Sequence, residues 1–206
     1  MTFYSGTVRP ARILKGLAVV GALLCLALTY ARFGLADDDG KRVRDDAGAR
    51  AAFLAAYPVF MHPRCVNCHP AGDVPLQGED SRIHAQNVKR GPDGRGRYAL
   101  KCANCHQRAN MAGENMPPGS PDWRMPPADM PMVFENRTPG DLARQLKDPT
   151  QNGGRTLEEL IRHVSEEPLV LWGWDPGNGR TKPPLSHAEF VRVFREWVEK
   201  GATSPE

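Results

Sequence analysis

Two copies of one five-residue pattern, Cys65-Val66-Asn67-Cys68-His69 and Cys102-Ala103-Asn104-Cys105-His106, begin 37 residues apart in the middle of this 206-residue chain. The stretch between them, 70–101, is rich in Gly and Pro and sparse in apolar residues. A segment of that composition cannot bury enough apolar surface to order itself. It must wrap around something else or stay loose. Residues 107–137 follow with Met111, Met116, Met125, Met130 and Met132 and six prolines between 117 and 131, a pattern that predicts an extended loop.

Cys-x-x-Cys-His is the attachment signature of a c-type haem. The two thiols add across the two vinyl groups of one porphyrin, the two-residue spacer matches their separation, and the adjacent His lies under the iron. Cys65 and Cys68 are therefore expected to hold one haem with His69 as proximal ligand. Cys102, Cys105 and His106 are expected to hold a second. Zinc is the competing reading of paired cysteines, but its usual gap is about 15–20 residues, whereas 33 residues separate Cys68 from Cys102. The motifs lie too close for two tandem domains, so one domain enclosing two neighbouring haems is expected.

Residues 1–36 read as an export signal: a basic start with Arg9, Arg12 and Lys15, an apolar run from Gly16 to Tyr30, and Gly34-Leu35-Ala36 as the small-x-small cleavage pattern. An uncleaved anchor is the alternative, although the run is short for a span of ~20 residues. Cys25 lies in this run after Leu24, not after a small residue, and reads as apolar filler. Removing the four Lys/Arg of 1–36 leaves 23 basic against 24 acidic residues, a formal net charge of −1. Nucleic-acid binding has no electrostatic footprint in such a chain. The four cysteines of 37–206 are all consumed by the two motifs. The expected location is the periplasm, with membrane contact only through an uncleaved segment.

The expected organisation is a signal at 1–36, a flexible leader at 37–46 and a single dihaem domain at 47–206. Its expected fold is mainly α: cytochrome c-like helices and long loops wrapped around two haems, with little or no sheet. Residues 47–61 predict a helix running into the first motif. Thr138-Pro139 predicts a helix start. Thr156-x-x-Glu159 and Ser186-x-x-Glu189 are capping boxes. The last helix, 187–200, carries Phe190, Val191, Phe194, Trp197 and Val198 on one face, with Gly201 as its stop.

Each iron has a sixth position, and its occupant separates an electron carrier from a ligand-binding or catalytic site. The candidates in order are His84, Met116, His163, then Met125 and His187; His62 is very near its own motif. Met beside Pro, as in Asn115-Met116-Pro117 and Arg124-Met125-Pro126, would hold a thioether in a stiffened loop. Arg82, Lys89, Arg90, Arg95, Arg97 and Lys101 make either a solvated loop or a set of partners for haem propionates or an acidic redox protein. Trp172 and Trp174 are candidates to pack on a haem face, or in an ordinary core.

The motifs identify the chain as resembling c-type cytochromes. Further stretches, His62–Asp73 (HPRCVNCHPAGD), Gln145–Gly154 (QLKDPTQNGG), Leu169–Gly177 (LVLWGWDPG) and Leu185–Phe190 (LSHAEF), are similar to bacterial dihaem proteins labelled as an isoquinoline 1-oxidoreductase subunit. That resemblance spans most of residues 37–206. Molybdenum hydroxylases of that kind carry a molybdopterin subunit and an iron–sulfur subunit, and neither pattern occurs in this sequence. The resemblance therefore implies a cytochrome partner of such an enzyme, or of another periplasmic dehydrogenase, passing electrons toward the respiratory chain. The alternative is a small haem enzyme of peroxidase type with one open iron position.

Overall fold

The computed structural model describes residues 44–206. The expected export signal and most of the expected leader lie outside the described residues. The end of that leader does not continue as a loop. Asp45 caps the first helix by accepting from the Gly48 N–H at 2.8 Å, and Asp46 is its first residue.

Helix α1 (Asp46–Phe60) buries Ala49, Ala52, Phe53, Ala56, Val59 and Phe60, a stripe spaced by three and four residues. A short helix α2 (Pro63–Val66) opens the first motif. Three helices then come from the C-terminal part: α3 (Pro139–Lys147), α4 (Leu157–Glu166) and α5 (Pro168–Leu171). A 3-10 turn at Trp172–Trp174 leads on to α6 (His187–Glu199). The expected starts are realised. Thr138 caps α3 with Pro139 as its first residue, and Thr156 and Ser186 form reciprocal capping boxes with Glu159 and Glu189. Gly201 ends α6 at φ +105°, a conformation that costs a glycine little.

Helices α1 and α6 run antiparallel and make the main packing interface. At one end Asp45 N–H donates to the Lys200 carbonyl at 3.1 Å. At the other, Phe60 packs edge-on against Phe190, 5.3 Å between centroids. Phe53 meets Trp197 at 4.9 Å. The buried face of α6 is Phe190, Val193, Phe194, Trp197 and Val198. Val193 occupies the core position expected for Val191, which is only partly buried at the edge. Leu142, Leu146, Leu160 and Ile161 of α3 and α4 close the core.

The inter-motif stretch carries only two minimal antiparallel hairpins. β1 (Leu76–Gln77) pairs with β2 (Arg82–Ile83), Leu76 opposite Ile83. β3 (Gly96–Arg97) pairs with β4 (Leu100–Lys101), Gly96 opposite Lys101. No helix or strand lies in 105–138, as the Met- and Pro-rich composition implies. The molecule is thus mainly α with very little sheet. Among the described residues, no helix is long and apolar enough to cross a membrane.

Phe53 is fully buried at the centre of the α1–α6 interface. Phe53→Ala is expected to destabilise the protein by about 3–5 kcal/mol, the usual cost of an aromatic cavity. Denaturant unfolding followed by helix circular dichroism checks this.

Candidate cofactor-binding site

Both motifs fold as one helical turn. In the first, His62 in an extended conformation and Pro63 at the first helical position start the turn. The Cys68 N–H donates to Cys65 O at 3.1 Å and the His69 N–H to Val66 O at 3.0 Å. In the second, a 3-10 turn at Cys102–Asn104 is closed by the Cys105 and His106 N–H groups, both donating to Cys102 O at 3.1 and 2.8 Å. Residues three and four apart share one face of a helical turn. The i, i+3, i+4 spacing therefore sends two thiols and one imidazole to the same side. None of these four cysteines is in a disulfide.

The two histidines are held in the same way. His69 Nδ1 is 2.6 Å from the Met132 carbonyl, and His106 Nδ1 is 2.7 Å from the Pro118 carbonyl. A carbonyl can only accept, so each Nδ1 carries the proton. Nε2 is left as the lone-pair nitrogen, the tautomer a metal-ligating histidine needs. Each ring is also clamped by a stacked aromatic. Phe134 lies 3.9 Å from His69 with 6° between planes, and Trp123 lies 4.5 Å from His106 with 3° between planes. Phe134 and Glu135 N–H groups both donate to the His69 carbonyl, fastening that segment around the motif.

Cys65, Cys68 and His69 line a cavity of about 350 Å³, within the size class of small-molecule sites (~300–1,000 Å³). Met125, Phe134 and Trp172 are among its other walls, so the lining is largely apolar. Burial pushes the Cys65 thiol up to about 12 and the Cys68 thiol up to about 11, so both are neutral. Burial drives His69 down to about 4, with the Met132 hydrogen bond opposing, and lowers His106 in the same sense. Both imidazoles are thus neutral near pH 7, as metal ligation requires. The Cys102 thiol approaches the Gly94 carbonyl at 3.9 Å, and that carbonyl accepts from the N–H of Met125, a wall of the first cavity, which brings the second motif beside it. Trp123, stacked on His106, meets Trp172 edge-on at 4.8 Å, and Trp172 reaches the first cavity.

The distal candidates separate clearly. His84 is brought beside His106, 6.3 Å between ring centroids, and its buried Nδ1 has no hydrogen-bond partner. His163 and Met125 line the cavity of His69, together with Met130. Met116 is not among the residues lining that cavity. Its carbonyl accepts from Arg180 Nη2 at 2.5 Å, and two residues on, the Pro118 carbonyl sits at Nδ1 of His106. Pro118 thus anchors this loop at Nδ1 of the His106 imidazole. His62 caps α2 and faces the Thr181 hydroxyl through Nε2, and His187 Nε2 is 2.9 Å from the Val164 carbonyl. Both are used in packing.

The basic stretch is mostly engaged within the protein. Arg82 pairs with Asp80, Arg95 bidentately with Asp122, Arg97 with Asp73, and Lys101 donates to Gly96 O. Arg90 is neither solvated nor aimed outward. It is 3 % exposed. Its guanidinium donates to the carbonyls of Pro70, Gly72, Pro126 and Pro131, pinning the Met- and Pro-rich loop to the inter-motif stretch. Gly94 allows the same approach: at φ +76°, its carbonyl accepts from Met125 N–H, and a Cβ there would strike the Met125 carbonyl. Arg64, which the sequence reading did not single out, lines the cavity and pairs with Glu79, while its buried Nε has no partner. Trp123, Phe134 and Asn152 were missed as well. Asn152 is buried and ties Leu146 O and Arg155 O at the cavity edge.

These features fit two haems. The thiols and imidazole of each motif share a face and the imidazole tautomers are right; Arg64 Nε and His84 Nδ1 are among the buried polar atoms without a partner in the described residues. Among the described residues, no three His, Cys, Asp or Glu side chains converge as a protein-only metal cage, which four-ligand zinc would need. No family model, no curated protein and no solved structure matches the chain.

Arg90→Met removes the donors from four buried or half-buried carbonyls. A loss of about 2–4 kcal/mol is expected, with faster proteolytic cleavage inside 107–131, read by limited proteolysis and mass spectrometry.

Proposed function

We propose that this chain is a periplasmic dihaem c-type cytochrome that carries electrons between a dehydrogenase, such as a molybdenum hydroxylase, and the respiratory chain. The observation that carries the reading is the duplicated one: two Cys-x-x-Cys-His turns, each with its imidazole fixed by an Nδ1–carbonyl bond and an aromatic stack. When bound, each haem would supply a one-electron iron couple. Cys65 and Cys68 would hold the first through thioethers, with His69 on the iron. Cys102, Cys105 and His106 would do the same for the second. Each thioether forms by adding S and H of a thiol across a vinyl double bond, so no external oxidant is needed.

The remaining residues tune and connect. The apolar walls of the first cavity limit water and favour the less charged state of a bound cofactor. Arg64 Nε offers a donor to a propionate oxygen. The Gly94 link between the motifs and the Trp123–Trp172 contact support two haems close enough to exchange electrons within the chain. The N-terminal signal read in the sequence supports export, since such haems are attached in the bacterial periplasm.

Two reversible one-electron couples are expected in a spectroelectrochemical titration of the exported protein. Cys65→Ala with Cys68→Ala should leave a single covalent haem and a single couple. Multiple-turnover consumption of peroxide by the wild-type protein would overturn the carrier reading in favour of a haem enzyme.

A further inference from the structure

We propose that His84 is the sixth ligand of the second haem iron, giving that site two histidines, His106 and His84, on opposite sides of the metal. The inference rests on the dihaem reading and adds what fills the distal position. The carrying observation is a distance. Two metal–imidazole bonds of ~2.0 Å, with about 1.1 Å from each ligating nitrogen to its ring centre, set centroids about 6.2 Å apart across one metal ion. The His84 and His106 rings are 6.3 Å apart. That gap is too wide for a direct hydrogen bond, while aromatic pairs span ~4.5–7 Å. It is the width of one ligated ion. The 57° between ring planes is compatible, because each ring can turn about its own metal–nitrogen bond.

The second observation is independent. A buried polar nitrogen without a partner is unfavourable; among the described residues His84 Nδ1 is in that position, and a metal bound at Nδ1 would satisfy it. His62, His69, His106 and His187 each place a ring nitrogen on a partner instead.

The backbone explains how a Gly- and Pro-rich stretch can aim a ligand. His84 follows β2 directly. The β1–β2 hairpin sets Leu76 opposite Ile83, and the next rung has His84 N–H donating to Pro75 O at 3.0 Å. The His84 carbonyl then accepts from Asn87 N–H at 2.9 Å, closing a turn. On the other side, His106 is fixed by Pro118 O and Trp123. The His106 ring and the His84 backbone are therefore both fixed before the metal arrives. The first site differs. Its walls offer His163 together with the thioethers of Met125 and Met130.

The test uses the purified, exported holoprotein. Intact mass and the pyridine haemochrome spectrum first count covalent haems; a count of zero overturns the dihaem reading and this assignment with it. With two haems present, near-infrared magnetic circular dichroism of the ferric wild type should show a bis-histidine low-spin band from at least one haem. His84→Gly should convert one of the two haems to high spin, create one carbon monoxide site per chain in the ferrous form, and return to low spin on addition of imidazole. A wild type with two haems and no bis-histidine band overturns the assignment without touching the dihaem reading. So does a His84→Gly protein with an unaltered spin state. A second variant, His84→Met, keeps the assignment testable if His84→Gly fails to fold: it should remove one bis-histidine band in favour of a His/Met signature, and an unchanged set of bands overturns the assignment.

Discussion

Two hydrogen bonds hold the centre of this molecule together: His69 Nδ1 to Met132 O, and His106 Nδ1 to Pro118 O. Each fixes an imidazole tautomer, and each fastens the long Met- and Pro-rich loop to a Cys-x-x-Cys-His turn. That loop has no helix or strand of its own, so its order depends on such anchors. Arg90 supplies the complementary clamp through four carbonyls. Backbone acceptors in a proline-rich loop have few N–H partners nearby, because proline has none to give. A buried guanidinium with five donors answers that shortage.

The helices serve a different purpose. α1, α3, α4 and α6 pack an ordinary aromatic and aliphatic core around Phe53, Phe194 and Trp197. It presents one edge, Phe60, Leu160, Val164 and Phe190, to the cavity that Cys65, Cys68 and His69 face. The chain thus divides its labour between a helical half and a loop half ordered by clamps and, under the proposed function, by two porphyrins. The second site sits wholly in the loop half, which is why a ligand pair bridging it would matter there most.

Local features were the legible ones. Thr138, Thr156 and Ser186 announce helix starts because a cap is satisfied within three residues of itself, and the structure has all three. The Cys-x-x-Cys-His turns were readable for the same reason: their geometry is complete within five residues. Features that join distant segments were not readable. Arg90 looks like one more loop charge until Pro70, Gly72, Pro126 and Pro131 converge on it. Trp123 and Phe134 lie 17 and 65 residues from the histidines they stack on, and no periodicity links them. The helical stripe is wide enough to admit either Val191 or Val193, and Val193 is the one buried. His84 stood first among the distal candidates, but its pairing with His106 needed the β1–β2 hairpin, two residues per strand, which composition alone does not reveal.

The most direct measurement is the intact mass of the exported, purified chain under denaturing conditions, with and without a thiol alkylating reagent. Two covalent haem increments are expected, with Cys65, Cys68, Cys102 and Cys105 all refractory to alkylation. A polypeptide at its unmodified mass with those four thiols open to the reagent would contradict the dihaem assignment.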